Sequence, residues 1–96
     1  FTAMKESAFF INTSRGGVVN ETSLAKAIDS GMIAGAALDV LCNEPQSPDC
    51  PLVAGDRLII TPHVAWTPLE TRQRLVGTVA GNIANFLAGH PTNKVN

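Results

Sequence analysis

The chain has 96 residues, of which 45% are hydrophobic and 16% charged, with a formal net charge of −1. That balance describes one small globular domain with a modest core and excludes a disordered segment. It offers no basic surface for nucleic acid or an anionic membrane, and no apolar run approaches the roughly 20 residues needed to span a bilayer.

The first residue is Phe1 rather than Met, which suggests a piece of a longer chain. Nothing at this end has the layout of a secretion signal. "FTAMKES" reads as the end of a helix running into a turn. "AFFIN", residues 8–12, is a continuous apolar run of the kind found in a strand covered on both faces. "NETSLAKAIDSG" reads as a helix: Asn20 caps it, Glu21 suits its positive end, and Leu24, Ala27 and Ile28 share a face. Gly31 stops it in the left-handed conformation.

"IAGAALDV", residues 33–40, is a second strand, with little bulk at Gly35 and its alanines, so another backbone or a helix packs close there. Residues 41–56 carry Pro45, Pro48, Pro51 and Gly55 and form a loop of about 16 residues, long enough to suggest a function. "RLIITPHV", residues 57–64, is the third strand. A long helix follows, with Thr67 as cap, Pro68 in the first turn and Glu70 closing a capping box. Its apolar stripe is Val76, Val79, Ala80, Ile83 and Leu87, and Gly89 with Pro91 ends it. Gly77 and Gly81 on one face of that helix suggest close packing.

Strand, helix, strand, loop, strand, helix is the alternation of a parallel α/β sheet. Parallel strands share one C-terminal edge, and ligands bind outside it. Arg15 follows the first strand, Asp39 closes the second, Glu44 lies five residues further on, and His63 ends the third. Each alone could be ordinary surface, turn or core; four at one edge indicate a shared site. Arg15 can bind a planar carboxylate through two parallel hydrogen bonds. His63 can pass a proton near neutral pH, and an acid such as Glu44 would orient its ring. That combination suits reduction of a 2-oxo acid. A hydrolase triad built on Ser14 and His63 is the weaker use, because "TSRGG" is not the G-x-S-x-G turn that projects a nucleophile. Cys42 and Cys50 have neither CxxC spacing nor clustered histidines, so no metal site is expected; ordinary thiols suit a reducing, cytoplasmic setting.

"MKESAFFINTSRGGVVNETSLAKAIDSGMIAGAALDV", then "NEP", then "TPHVAW", resembles the D-isomer-specific 2-hydroxyacid dehydrogenases, with "TPHVAW" nearest in look to their glycerate dehydrogenase (hydroxypyruvate reductase) branch. The resemblance implies the C-terminal part of a Rossmann-like NAD(P)-binding domain over residues 1–66. Residues 67–96 would then be a terminal helix and tail returning toward a substrate domain. It implies that Arg15 holds the substrate carboxylate and carbonyl, that His63 is the catalytic histidine and that Glu44 is its paired acid. Asp39 would contact the nicotinamide carboxamide, Thr13, Ser14 and Arg15 would run beside the nicotinamide ribose, and His63, Val64, Ala65 and Trp66 would border the ring. The cofactor would be NAD or NADP, the substrate a small 2-oxo or D-2-hydroxy acid such as hydroxypyruvate or glyoxylate, and the full-length enzyme a cytoplasmic homodimer.

Glu6-Ser7 stands where that family usually has Pro-Gly, and Leu41 where phenylalanine is common. More consequential, the 96 residues contain no G-x-G-x-x-G loop and no downstream acid for the adenosine ribose. The piece alone is therefore expected to be inactive. A non-catalytic interaction or assembly module is the alternative reading.

Overall fold

The computed structural model describes residues 1–53 and 55–95; Ala54 in the long loop and Asn96 at the end of the tail lie outside them. The chain forms two compact units, one running from Phe1 to Val64 and the other from Ala65 on.

The first unit is a three-stranded parallel sheet in the order β1-β2-β3, formed by Phe9–Asn12, Gly35–Leu38 and Leu58–Ile60. The registers are Phe10↔Ala36↔Leu58 and Asn12↔Leu38↔Ile60, so these six residues lie on one face. Helix α1 (Glu21–Asp29) connects β1 to β2 and buries Leu24, Ala27 and Ile28 in one cluster with Ile33, Ala36, Leu38, Leu52 and Leu58. Asn20 caps α1 by accepting from the Ser23 N–H at 2.9 Å. Gly31, at φ 74°, ends it: its N–H donates to the Ile28 carbonyl and that of Met32 to the Ala27 carbonyl.

The parallel α/β arrangement expected from the alternation of elements is present. So is the close backbone approach at Gly35, where a Cβ would stand 2.4 Å from the Arg57 carbonyl oxygen. Other expectations need correction. Residues 1–7 are not a helix end: two turns, Met4 N–H to Phe1 O and Ala8 N–H to Lys5 O, fold Phe1 and Met4 against the core. Phe1 meets Phe10 edge to face at 5.7 Å. The strand at β1 is covered on one face only, since Phe9 and Ile11 on the other are 67% and 69% exposed. Among the described residues of this unit α1 is the only long helix, and one helix covers one face. The third strand stops at Ile60, because Pro62 cannot donate to a ladder. A 3-10 turn, η1 (Gly16–Val18), lies between β1 and α1.

The 41–56 loop is anchored at Leu52, 1% exposed, whose carbonyl accepts from Gln46 Nε2 at 2.6 Å.

The second unit is α2 (Leu69–Leu87) and its tail. Pro68, not Thr67, occupies the cap position and makes no side-chain cap bond. Gly89 at φ 79° closes the helix as expected, with His90 N–H on the Asn85 carbonyl. Asn85 and Asn82 then hold the tail through Thr92 and Asn93. No residue of α2 is buried, so its apolar stripe has no cover within its own unit. A Cβ at Gly77 or Gly81 would meet nothing within 4 Å among the described residues.

Candidate active site

β1 ends at Asn12, a polar residue only 4% exposed. Its Oδ1 accepts from the Ser14 N–H (3.1 Å) and hydroxyl (2.9 Å), and its Nδ2 donates to the Arg15 carbonyl at 2.9 Å. One side chain thus wraps the Thr13-Ser14-Arg15 turn and sets where the arginine leaves the sheet edge. Thr13, Ser14 and Arg15 are exposed, and the Arg15 guanidinium donates to the Ser14 carbonyl at 2.6 Å.

β2 ends at Leu38 and delivers Asp39, 4% exposed, beside the turn that follows β3. Asp39 Oδ1 accepts from the Thr61 hydroxyl at 2.5 Å and from the Val64 N–H at 2.9 Å. His63, between those two donors, has φ 55°.

Glu44 reaches the same edge from the loop, through a cis peptide bond to Pro45. Its Oε1 accepts from the Leu41 N–H at 2.8 Å, and its Oε2 lies 2.7 Å from His63 Nδ1. A carboxylate only accepts, so Nδ1 carries the proton of that bond. The hydrogen bond from His63, reinforced by the Leu41 N–H, holds the Glu44 carboxyl below the usual carboxylate range. The loop is tied to α1 as well, since the Cys42 N–H donates to Glu21 Oε1 at 2.7 Å.

The pair lies on the wall of a cavity of about 450 Å³, whose apolar lining includes Leu41, Pro45, Ile60 and Pro62. Arg15 follows β1 and His63 follows β3, and those strands lie two strand spacings apart, about 10 Å.

Of the residues singled out in the sequence, Glu44 and His63 are in direct contact, and Asp39 accepts from the Thr61 hydroxyl on one side of His63 and from the Val64 N–H on the other. Arg15 shares the edge and touches neither partner of the pair among the described residues. Val64 supplies its N–H to Asp39, whereas Ala65 and Trp66 open the second unit. Cys42 and Cys50 are free thiols. Loss of solvation, then the Glu21 carboxylate, pushes the Cys42 thiol up, the opposite of what activates a nucleophile.

Three supporting residues were not anticipated as part of the site: Asn12, Thr61 and Glu21. A polar residue closing an apolar run is the signal that could have pointed to Asn12. For Thr61 and Glu21 no local signal exists, because each reaches a partner 21 or 22 residues away.

Residues 1–65 match the family described as D-isomer specific 2-hydroxyacid dehydrogenase, NAD binding domain. The chain is 43% identical over 93 residues to a hydroxypyruvate reductase of Blautia hydrogenotrophica, covering 97% of this chain and 29% of that protein. It is 45% identical over 94 residues to a glycerate dehydrogenase of Methylorubrum extorquens, covering 96% of this chain and 30% of that one. Among solved structures, a D-isomer specific 2-hydroxyacid dehydrogenase of Xanthobacter autotrophicus, in complex with NADPH and MES, superposes with a TM-score of 0.69 at 38% identity. That match covers 97% of this chain and 38% of the other. The chain thus spans about three-tenths of the length of these curated relatives. A parallel sheet with an arginine, a carboxylate–histidine pair and a buried aspartate at its C-terminal edge, matched along its first 65 residues, belongs to the D-isomer specific 2-hydroxyacid dehydrogenase family, within its NAD-binding domain.

Proposed function

We propose that these residues form the catalytic edge of an enzyme that interconverts a small 2-oxo acid and its D-2-hydroxy acid, with hydroxypyruvate or glyoxylate as substrate. The observation that carries this reading is the 2.7 Å Glu44–His63 pair on the sheet edge that also presents Arg15. The Arg15 fork binds the substrate carboxylate and steadies the carbonyl oxygen. His63 Nδ1 stays on Glu44, so Nε2 holds the proton given to the ketone oxygen in reduction and takes it back in oxidation. Glu44 keeps the ring aimed.

NAD or NADP supplies or accepts the hydride when bound. The exposed Thr13-Ser14-Arg15 turn suits the nicotinamide ribose, while Asp39 and the segment from His63 through Val64, Ala65 and Trp66 suit the carboxamide and ring. Nothing in the 96 residues cradles a pyrophosphate. We therefore assign residues 1–66 to the later part of a nucleotide domain and residues 67–96 to a helix and tail that lead back to a substrate domain. We also place the full-length enzyme in the cytoplasm, where Cys42 and Cys50 stay reduced, as a homodimer. No helix among the described residues is long and apolar enough to cross a membrane.

The test is reduction of hydroxypyruvate, glyoxylate and pyruvate by the full-length enzyme with NADH and NADPH. Turnover of at least one supports the reading, and none with any of them overturns it. The 96 residues alone should give no turnover, because most cofactor affinity resides in the missing phosphate loop. Arg15→Lys keeps the charge but loses the fork, and kcat/KM should fall by about 2 kcal/mol or more, the scale of a charge-assisted hydrogen bond. Unchanged kinetics would return Arg15 to the solvated surface.

A further inference from the structure

We propose that Thr61 is a positioning residue: with Asp39 it forms a clamp that fixes the backbone of His63 and so aims the imidazole at Glu44. The inference rests on the reading of His63 as the proton donor.

His63 needs something to hold it. At φ 55° it sits in the left-handed region, which a side chain with a Cβ disfavours. One oxygen of the buried Asp39 supplies a restraint on both sides. Asp39 Oδ1 accepts from the Thr61 hydroxyl at 2.5 Å and from the Val64 N–H at 2.9 Å, two residues before His63 and one after it. The His63 N–H in turn donates to the Thr61 carbonyl at 3.0 Å. Pro62, with no N–H and a fixed φ, stiffens the span between.

The anchor itself is rigid. Asp39 is 4% exposed, and its N–H donates to the Asn12 carbonyl at 2.9 Å. The Thr61 N–H donates to the Leu38 carbonyl at 2.9 Å, a backbone bond that Thr61→Val and Thr61→Ser both keep. The hydroxyl is therefore the separable part of the clamp. Without it, the bond from Asp39 to the near side of His63 is lost, the 61–64 turn loosens, and the Nδ1–Glu44 contact is less firmly imposed. Catalytic geometry is sensitive to displacements on the order of 1 Å.

Thr61→Val removes the hydroxyl and keeps the shape, and Thr61 is exposed, so the fold should tolerate it. Asp39 is left intact because it is also proposed to face the cofactor. In the full-length enzyme, Thr61→Val should lower kcat for hydroxypyruvate reduction on the order of tenfold or more, with KM changed by at most about twofold. Thr61→Ser should restore kcat to near the parent value. A second readout does not need turnover: the proton NMR signal of His63 Nδ1–H, moved downfield by its carboxylate partner. It should persist in Thr61→Ser and broaden or vanish in Thr61→Val. An unchanged kcat with an unchanged signal in Thr61→Val overturns the clamp, as does a Thr61→Ser variant no better than the valine. If the parent enzyme turns over no oxo acid, the functional reading fails while the NMR comparison still decides the clamp.

Discussion

His63→Asn should cut kcat for oxo-acid reduction by about 10² to 10⁴-fold, the range associated with a positioned general acid. Asparagine is the informative replacement because it tolerates the left-handed backbone at φ 55° better than most residues. The loss can then be assigned to the imidazole and not to a rearranged turn. Retention of more than a tenth of the parent kcat would remove His63 from the chemistry.

The direction of the pH dependence tests the same assignment. Reduction consumes the proton on His63 Nε2 and oxidation returns it, so higher pH should favour oxidation over reduction. Glu44→Gln removes the carboxylate that orients the ring, and kcat in both directions should fall on the order of tenfold. With hydride transfer shown to limit the rate, an unchanged kcat would make Glu44 a loop acid only. Stability responds at the acid end. The Glu44 carboxyl is held below its ordinary range, first by the hydrogen bond from His63 and then by the Leu41 N–H. Its contribution is complete above the ordinary carboxylate pKa and is lost as pH falls through the lowered value.

Gly16→Ala should destabilise the protein by about 3 kcal/mol, at the upper end for overpacking, whereas Gly17→Ala should stay within about 0.5 kcal/mol. A Cβ at Gly16 would lie 2.0 Å from the Leu41 carbonyl carbon, 2.2 Å from its oxygen and 2.3 Å from the Cys42 nitrogen. All three are backbone atoms, so the loop must move as a body. That loop carries the Leu41 N–H that holds Glu44, and the Glu44–His63 pair should loosen with it. At Gly17 a Cβ meets nothing within 4 Å. Thermal unfolding of the two variants decides: Gly16→Ala should lower Tm by about 10 °C or more and Gly17→Ala by only a few degrees. Equal Tm values would mean that the close contact at Gly16 is not a constraint in solution.

The determinants legible in the sequence are those that act within one turn or one strand. Asn20 caps α1 by bonding three residues ahead, and Gly31 and Gly89 end their helices by adopting a conformation that other residues resist. The apolar runs and their alternation with helices dictate a parallel sheet, and the shared direction of its strands brings Arg15, Asp39, Glu44 and His63 to one edge before any contact is known. Tertiary structure alone decides which of them touch. The Glu44–His63 bond spans 19 residues and the Asp39–Val64 bond 25, and both depend on strand register and on the path of a proline-rich loop. Local signals also fail where a tertiary contact competes with them. Residues 1–7 give up a helical turn to seat Phe1 and Met4 on the core, and Gly16 is required not by its own φ but by the backbone of Leu41 passing against it. Propensity depends on neighbours in sequence, and the site depends on neighbours in space, which the chain acquires only when the sheet has formed.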